Sequence, residues 1–377
     1  MNLDFTEEQE MLRTSARDFL STECPKTLVR ELEESEEGYS ADLWKKMADL
    51  GWMGLVIPDD FGGMGMEFFD LVILLEEMGR NILPGPFFTT VVLGALPIMD
   101  AGTEEQKKEY LPKIAEGDAL FTMALTEPSA TYEPSGVELK ATAQGDDFVL
   151  NGTKLFVEMA HVADYMIVAA RSKEGGAAED GVTLFVVDAK SPGIKCEVMP
   201  TIGADKLCEV VFNNVSVPRA NVLGEVDKGW PVVERALQHA TMAKCAEMLG
   251  GAEASLDMTA DYAKERVLYG RPIASFQVLQ HYMANMLINL ETARNLIYET
   301  AWMVSAGMPS KQLVAAAKGW INEGYKFITE RAVQIHGAIG TTRDHDIGLY
   351  YRRALASDLA FGNTDYQREL VARELGM

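Results

Sequence analysis

Cations are short in this 377-residue chain: 34 Lys and Arg stand against 57 Asp and Glu, a net charge of −23 at pH 7. Holding a phosphate backbone needs a basic surplus, so nucleic acid is excluded as a partner. No apolar run is long enough to span a bilayer, which rules out a membrane-spanning helix. The opening Met1-Asn2-Leu3-Asp4-Phe5-Thr6-Glu7-Glu8 is acidic, unlike a secretory signal or an Arg-rich transit peptide. Cysteine is scarce. Cys24, Cys196, Cys208 and Cys245 lie far apart without paired spacing, so neither a disulfide framework nor a metal site is expected. His161, His239, His281 and His345 show no metal spacing either and read as structural. There is no P-loop and no Ser-His-Asp elbow. A cytoplasmic protein, or one of the mitochondrial matrix if this is a mature form, is the expectation.

What is present is ordinary for a globular chain, with 47% hydrophobic and 24% charged residues, and the length predicts two or three domains. Residues 4–21 begin with Thr6 as an N-cap and place Met11, Leu12, Ala16, Phe19 and Leu20 near helical spacing. Further helices are predicted over 41–50, 68–78 and 87–99, and from the cap Thr103 toward Pro112. The texture changes near residue 120. Short β-branched runs at 121–125, 147–150, 165–170, 182–187 and 208–212 are separated by turn residues such as Asn151-Gly152, an all-β pattern. Helical periodicity returns near 228–267, 275–305 and 308–336. Val233, Leu237, Ala240, Leu249, Ala252 and Leu256 form a buried stripe on the first of these. The fold class is therefore α+β, with a helical domain over 1–119, a β-barrel or sandwich over 120–227 and a helical bundle over 228–377.

Several stretches carry a more specific signal. Arg266-Val267-Leu268-Tyr269-Gly270-Arg271-Pro272-Ile273, followed by Phe276-Gln277, sets a guanidinium and an amide at fixed spacing. A forked guanidinium suits a phosphate, and glutamine gives a directional amide. Gln334-Ile335-His336-Gly337-Ala338-Ile339-Gly340 interrupts a helix with glycines, which let backbone lie flat against a ligand. Phe361-Gly362-Asn363-Thr364 turns into a closing helix. Leu125-Thr126-Glu127-Pro128 ends a strand, and Asn151-Gly152-Thr153-Lys154-Leu155-Phe156-Val157-Glu158 follows it. Taken together and in their order along the chain, these stretches resemble the acyl-CoA dehydrogenase family, and the resemblance spans the whole chain.

That resemblance implies a flavoprotein binding FAD and an acyl-CoA thioester. Met123, Leu125 and Thr126 would face the isoalloxazine, with Phe156 packing on the flat ring and Glu158 standing where a small hydroxyl residue is usual. Arg266, Tyr269, Phe276 and Gln277 would hold the pyrophosphate and adenine of a neighbouring subunit's cofactor. Gln334, Gly337 and Gly340 extend that contact, Ala338 replacing a family glycine, and Asn363 belongs with the cofactor-contacting turn. The implied assembly is a homo-tetramer or a heteromer, passing electrons to an electron-transferring flavoprotein.

A third departure, beside Glu158 and Ala338, falls on the base itself. The family's base is a glutamate 27 positions on from the glutamine of Gln334-Ile335-His336-Gly337, and that position here is Phe361. Phe361 keeps a backbone N–H to polarise the thioester carbonyl but supplies no proton acceptor. The alternative base position of some relatives is Ala240. Phe361, Gly362 and Ala240 are thus expected at the substrate. Replacement acids are Glu247, about 10 Å along the helix from Ala240 at 1.5 Å per residue, then Asp365 and Glu158. The expected function is dehydrogenation, at Cα–Cβ or a related position, of an atypical acyl-CoA, ring-containing ones included, with a relocated base. A non-catalytic partner subunit of a heteromeric dehydrogenase and an acyl-CoA oxidase are the alternatives.

Overall fold

The structure is a computed structural model that describes residues 5–377. Residues 1–4, where the first predicted helix and domain begin, lie outside the described residues. The chain folds as two compact units, one of them made from the segment up to Glu31 with Glu67–Leu83 and Thr241–Met377, the other from Leu32–Met66 and Pro84–Ala240.

In chain order the helices before the sheet are α1 (Glu7–Glu23), α2 (Lys26–Glu34), α3 (Ala41–Asp49), α4 (Phe68–Asn81), α5 (Leu96–Ala101) and α6 (Glu104–Ala115). The strands are β1 (Phe121–Ala124), β2 (Lys140–Gln144), β3 (Asp147–Glu158), β4 (Tyr165–Arg171), β5 (Val182–Asp188), β6 (Ile194–Met199), β7 (Leu207–Pro218) and β8 (Val222–Leu223). Then come α7 (Trp230–Glu265), a hairpin of β9 (Val267–Leu268) and β10 (Arg271–Pro272), α8 (Gln277–Ser305), α9 (Lys311–His336), α10 (Ile347–Leu359) and α11 (Thr364–Glu374).

The first unit is helical. Thr6 caps α1 and forms a reciprocal capping box with Gln9, which satisfies two orphan N–H groups. Glycines bring α4 and α7 into backbone contact: a Cβ on Gly79 would stand 2.0 Å from the Glu247 carbonyl oxygen, and one on Gly250 1.8 Å from that of Glu76. Of the stripe read on the last helices, Leu249, Ala252 and Leu256 are buried here, while Val233 and Ala240 are buried in the other unit and Leu237 is half-buried.

The second unit is built on an eight-stranded sheet in the order β6-β7-β3-β2-β4-β5-β8, with β1 parallel to β4. Leu150, Phe148, Val168, Phe185, Val210 and Phe212 are among its buried core residues. Two local expectations need correction, and two strands went unread. Asn151-Gly152 is not a turn: β3 runs through it, the register against β7 shifts between Leu150 and Gly152, and Asn151 Oδ1 accepts the N–H of Asn214 at 2.8 Å. That is a bulge, for which Asn-Gly is as suitable as for a hairpin. The 87–99 segment is a π-helix over Phe88–Ala95 followed by α5, a widening that apolar periodicity does not report. Finally β2 and β6 escape sequence reading because their exposed faces leave no buried alternation.

Candidate active site

In the sheet unit, the stretch expected at the ring is pinned from beneath by one buried lysine. Lys154 on β3 is wholly buried; its Nζ donates to the Leu125 carbonyl at 2.9 Å and to Glu127 Oε1 at 2.6 Å. Glu127 Oε1 also accepts the backbone N–H groups of Glu138 and Leu139, each at 3.0 Å. Burial pulls the lysine down to about 8, with Glu127 working against the shift. The N–H of Leu155 donates to the Thr126 carbonyl at 2.8 Å, and Thr122 Oγ1 donates to the Glu158 carbonyl at 2.6 Å. Met123 and Leu125 are buried and Thr126 is half-buried.

The consequence appears at Phe156. The register of β3 against β7 shifts between Lys154 and Val157, and Phe156 takes a left-handed φ of 57° there. This turns a large aromatic out of the strand, leaving it 50% exposed. A strained backbone that presents a bare ring is a fitting wall for a planar heterocycle. Glu158 is half-buried at the same end of β3.

In the helical unit, the Arg266 motif folds as a tight hairpin. Tyr269 and Gly270 both have positive φ, 54° and 77°, the conformation that a two-residue β-turn requires. Arg266, Tyr269 and Gln277 are all exposed, Tyr269 at 94%, and the Arg271 guanidinium lies 4.4 Å over the Phe276 ring. Gln277 opens α8, whose N-cap residue Phe276 supplies no capping side chain. A guanidinium, an amide and an uncapped helix N-terminus are the donor set that an anionic bridge calls for.

The second glycine motif fits as well. Gly337 has φ 66° and nothing within 4 Å of where a Cβ would be, whereas a Cβ on Gly340 would meet that of His336 at 2.9 Å. Gln334 is exposed. His336 is buried and stacks on Tyr262 at 4.4 Å, its Nδ1–H donating to the Ala332 carbonyl at 2.8 Å. That leaves Nε2 as a buried acceptor with no partner among the described residues. Burial holds this imidazole below its ordinary range, hence neutral. An open glycine backbone beside an orphaned acceptor matches a nucleotide-type group.

The chain turns sharply at 360–362. Phe361 is left-handed at φ 57° and Gly362 at 100°, and a Cβ on Gly362 would stand 2.3 Å from Tyr366 Cδ1. Asn363 then caps α11, its Oδ1 accepting the N–H of Tyr366 at 3.0 Å. The candidate acids lie in different surroundings. Asp365 is 90% exposed and faces Arg368 at 3.6 Å. Glu247 is 21% exposed and takes Lys244 Nζ at 2.5 Å on Oε2. Ala240 is fully buried. Thus Phe361, Asp365 and Glu247 share one unit, while Glu158 and Ala240 belong to the other.

Sequence reading missed the buried polar groups behind these turns. Lys318 Nζ donates to the Ser357 carbonyl at 2.9 Å and to Asn322 Oδ1, and Gln367 Nε2 donates to the Phe361 carbonyl at 2.7 Å. The signal was present: Lys318 and Asn322 fall on the same α9 stripe as Val314, Ala315, Ile321 and Tyr325, where solvated residues do not belong. Among the described residues no group of three or more His, Cys, Asp or Glu could hold a metal ion, and no helix is long and apolar enough to cross a membrane.

Comparison with known proteins covers the whole chain. Family models for the N-terminal, middle and C-terminal domains of acyl-CoA dehydrogenase match residues 6–118, 122–215 and 227–376. Acryloyl-CoA reductase (NADH) of Anaerotignum propionicum is 32% identical over 381 residues, covering 100% of this chain and 96% of the relative. The caffeyl-CoA reductase-Etf complex subunit CarC of Acetobacterium woodii is 31% identical, with 98% of each chain covered. Among solved structures, butyryl-CoA dehydrogenase from Megasphaera elsdenii superposes with a TM-score of 0.93 at 29% identity over 100% of both chains.

Proposed function

The chain belongs to the acyl-CoA dehydrogenase family and is an FAD-dependent oxidoreductase acting on the CH–CH bond of acyl-CoA, and from that premise we propose that it dehydrogenates an atypical, ring-bearing acyl-CoA with Glu247 as a relocated base. Bound FAD supplies the two-electron acceptor for the hydride leaving Cβ. Phe156, Leu125 and Thr126 would wall the ring of one FAD, and Arg266, Gln277, Gln334 and Gly337 would hold the pyrophosphate and adenine of a neighbouring subunit's FAD.

The chain's own part in the chemistry is to acidify and remove the Cα proton. The backbone N–H of Phe361 polarises the thioester carbonyl, so enolate charge develops against a fixed dipole. The carboxylate of Glu247 accepts the proton, and Lys244 Nζ, donating to its Oε2, holds it in orientation. The observation that favours Glu247 is its fixed and sheltered place. Its backbone is wedged against Gly79, and its side chain is 21% exposed where that of Asp365 is 90% exposed. Loose, hydrated carboxylates make poor general bases.

A base displaced from position 361 requires Cα to be placed differently. An aromatic side chain at that position favours flat acyl groups over flexible straight ones. The name of the caffeyl-CoA reductase relative points the same way, and its Etf complex supports an electron-transferring flavoprotein as this chain's redox partner. A homo-tetramer is the proposed assembly. The competing reading is a non-catalytic subunit of a heteromer, which the loss of a carboxylate at 361 favours.

Anaerobic flavin reduction decides between them. With ring-bearing acyl-CoAs the flavin of the purified protein should bleach in a single fast phase, and with butyryl- or octanoyl-CoA only slowly. Glu247→Gln should cut the fast rate by at least about 10²-fold, the low end for removing a general base. Rapid bleaching by butyryl-CoA sinks the substrate reading; an unaffected Glu247→Gln rate sinks the base.

A further inference from the structure

Lys318 is a fully buried ammonium that touches no carboxylate directly among the described residues. Its hydrogens go to Asn322 Oδ1, to the Ser357 carbonyl at 2.9 Å and to the Asp358 carbonyl at 3.5 Å. The Asp358 carboxylate is engaged elsewhere, by Lys326 Nζ at 2.9 Å. The countercharge to Lys318 is therefore the C-terminal end of α10, whose last carbonyls lack helical partners and carry the negative end of the helix dipole. A neutral donor would satisfy those carbonyls at lower desolvation cost. A cation with three convergent bonds fixes the helix end more tightly.

The grip continues into the turn. Asn322, held by Lys318, directs its Nδ2 at the Gly362 carbonyl at 3.4 Å and the Asp358 carbonyl at 3.5 Å. Gln367, which is 2% exposed, donates to the Phe361 carbonyl at 2.7 Å. Three side chains thus fix the carbonyls at 357–358, 361 and 362 around a residue whose left-handed φ of 57° a non-glycine does not hold unaided. Any relaxation of Phe361 toward common backbone angles would break the Gln367 bond and swing the Phe361 N–H with it.

We propose that Lys318, acting through Asn322 and together with Gln367, is a positioning residue that aims the Phe361 N–H at the thioester carbonyl. This rests on the reading of that N–H as the carbonyl donor, and the test separates the two. The probe is 4-(dimethylamino)cinnamoyl-CoA, a conjugated thioester whose absorption moves to the red when its carbonyl accepts a hydrogen bond. It is titrated into FAD-loaded wild type, Lys318→Met and Gln367→Met, with FAD content and melting temperature measured on each.

Wild type should shift the probe to the red. Both variants should lose most of that shift while still binding probe and FAD, because only the aim of the donor changes. Should Lys318→Met fail to fold, Gln367→Met carries the test, since it removes one bond at conserved volume. Wild type that binds the probe without a shift, or does not bind it, defeats the donor reading and this inference together. A wild-type shift retained in a folded variant defeats the inference alone. So does a variant that merely melts earlier or loses FAD while its bound probe shifts as in wild type.

Discussion

Lys154→Met is the perturbation whose size the structure sets most closely. The ammonium is wholly buried and the Glu127 side chain 5% exposed, so removing the cation strands a carboxylate in a dry core. Breaking a buried pair in this way costs about 3–5 kcal/mol. Two backbone N–H groups still reach Glu127 Oε1, which places the loss near the lower bound, and the Leu125 carbonyl forfeits its donor as well. A loss of about 3 kcal/mol is expected, most of it from the stranded charge. The double variant Lys154→Met/Glu127→Gln should then recover part of it, because glutamine keeps an acceptor for Glu138 and Leu139 without the charge. Urea unfolding followed by tryptophan fluorescence at pH 7.5 reads all three proteins. A single variant within about 1 kcal/mol of wild type, or a double variant no more stable than the single, refutes the argument.

Three further outcomes follow from the same geometry. Arg266→Ala should purify with less FAD and regain it only at raised FAD concentration, the absorbance at 450 nm reporting occupancy; an unchanged flavin content removes Arg266 from the cofactor contact. Phe361→Glu restores a carboxylate beside the backbone donor and should raise butyryl-CoA turnover if the chain is a disarmed subunit, but not if Glu247 is the working base. Lys318 is drawn down to about 8 by burial, with Cys245 and Asp358 opposing the shift and Lys244 and Lys326 reinforcing it. The native state therefore sheds that proton before the unfolded chain does, and the stability of wild type relative to Lys318→Met should rise between about pH 8 and 10.5; a relative stability that falls across that window contradicts it.

How far the sequence carried these conclusions varies with the kind of residue. Long helices were legible because apolar spacing persists over many turns: the predicted 308–336 is Lys311–His336, and 275–305 is Gln277–Ser305. The Arg266 stretch stood out by its spacing, but the hairpin that turns at Tyr269-Gly270 was not read from it. Asn151-Gly152 misled because one local chemistry serves both a hairpin and a bulge, and only the partner strand β7 decides between them. The buried lysines were passed over for a different reason. A lysine is scored by habit as solvated, yet Lys154 and Lys318 occupy positions whose neighbours in the pattern are core residues. Polarity on a buried stripe is the trace that such supports leave.

Those supports also bear on what the loss of a glutamate at 361 means. A subunit that had ceased to use this turn would have no reason to hold it in a costly shape. Here the turn keeps a left-handed phenylalanine, a glycine at 362 that no other residue can replace without striking Tyr366, and a buried glutamine on the Phe361 carbonyl. Lys318 behind it is a desolvated charge retained to cap one helix end. The left-handed φ at Phe361 and the desolvated charge of Lys318 are unfavourable unless the backbone at 361 must stay where it is. The expected carboxylate is absent at 361, while the side chains that hold the backbone carbonyls of this turn are present. That combination fits an enzyme that still polarises a thioester at this turn and takes the proton from another direction.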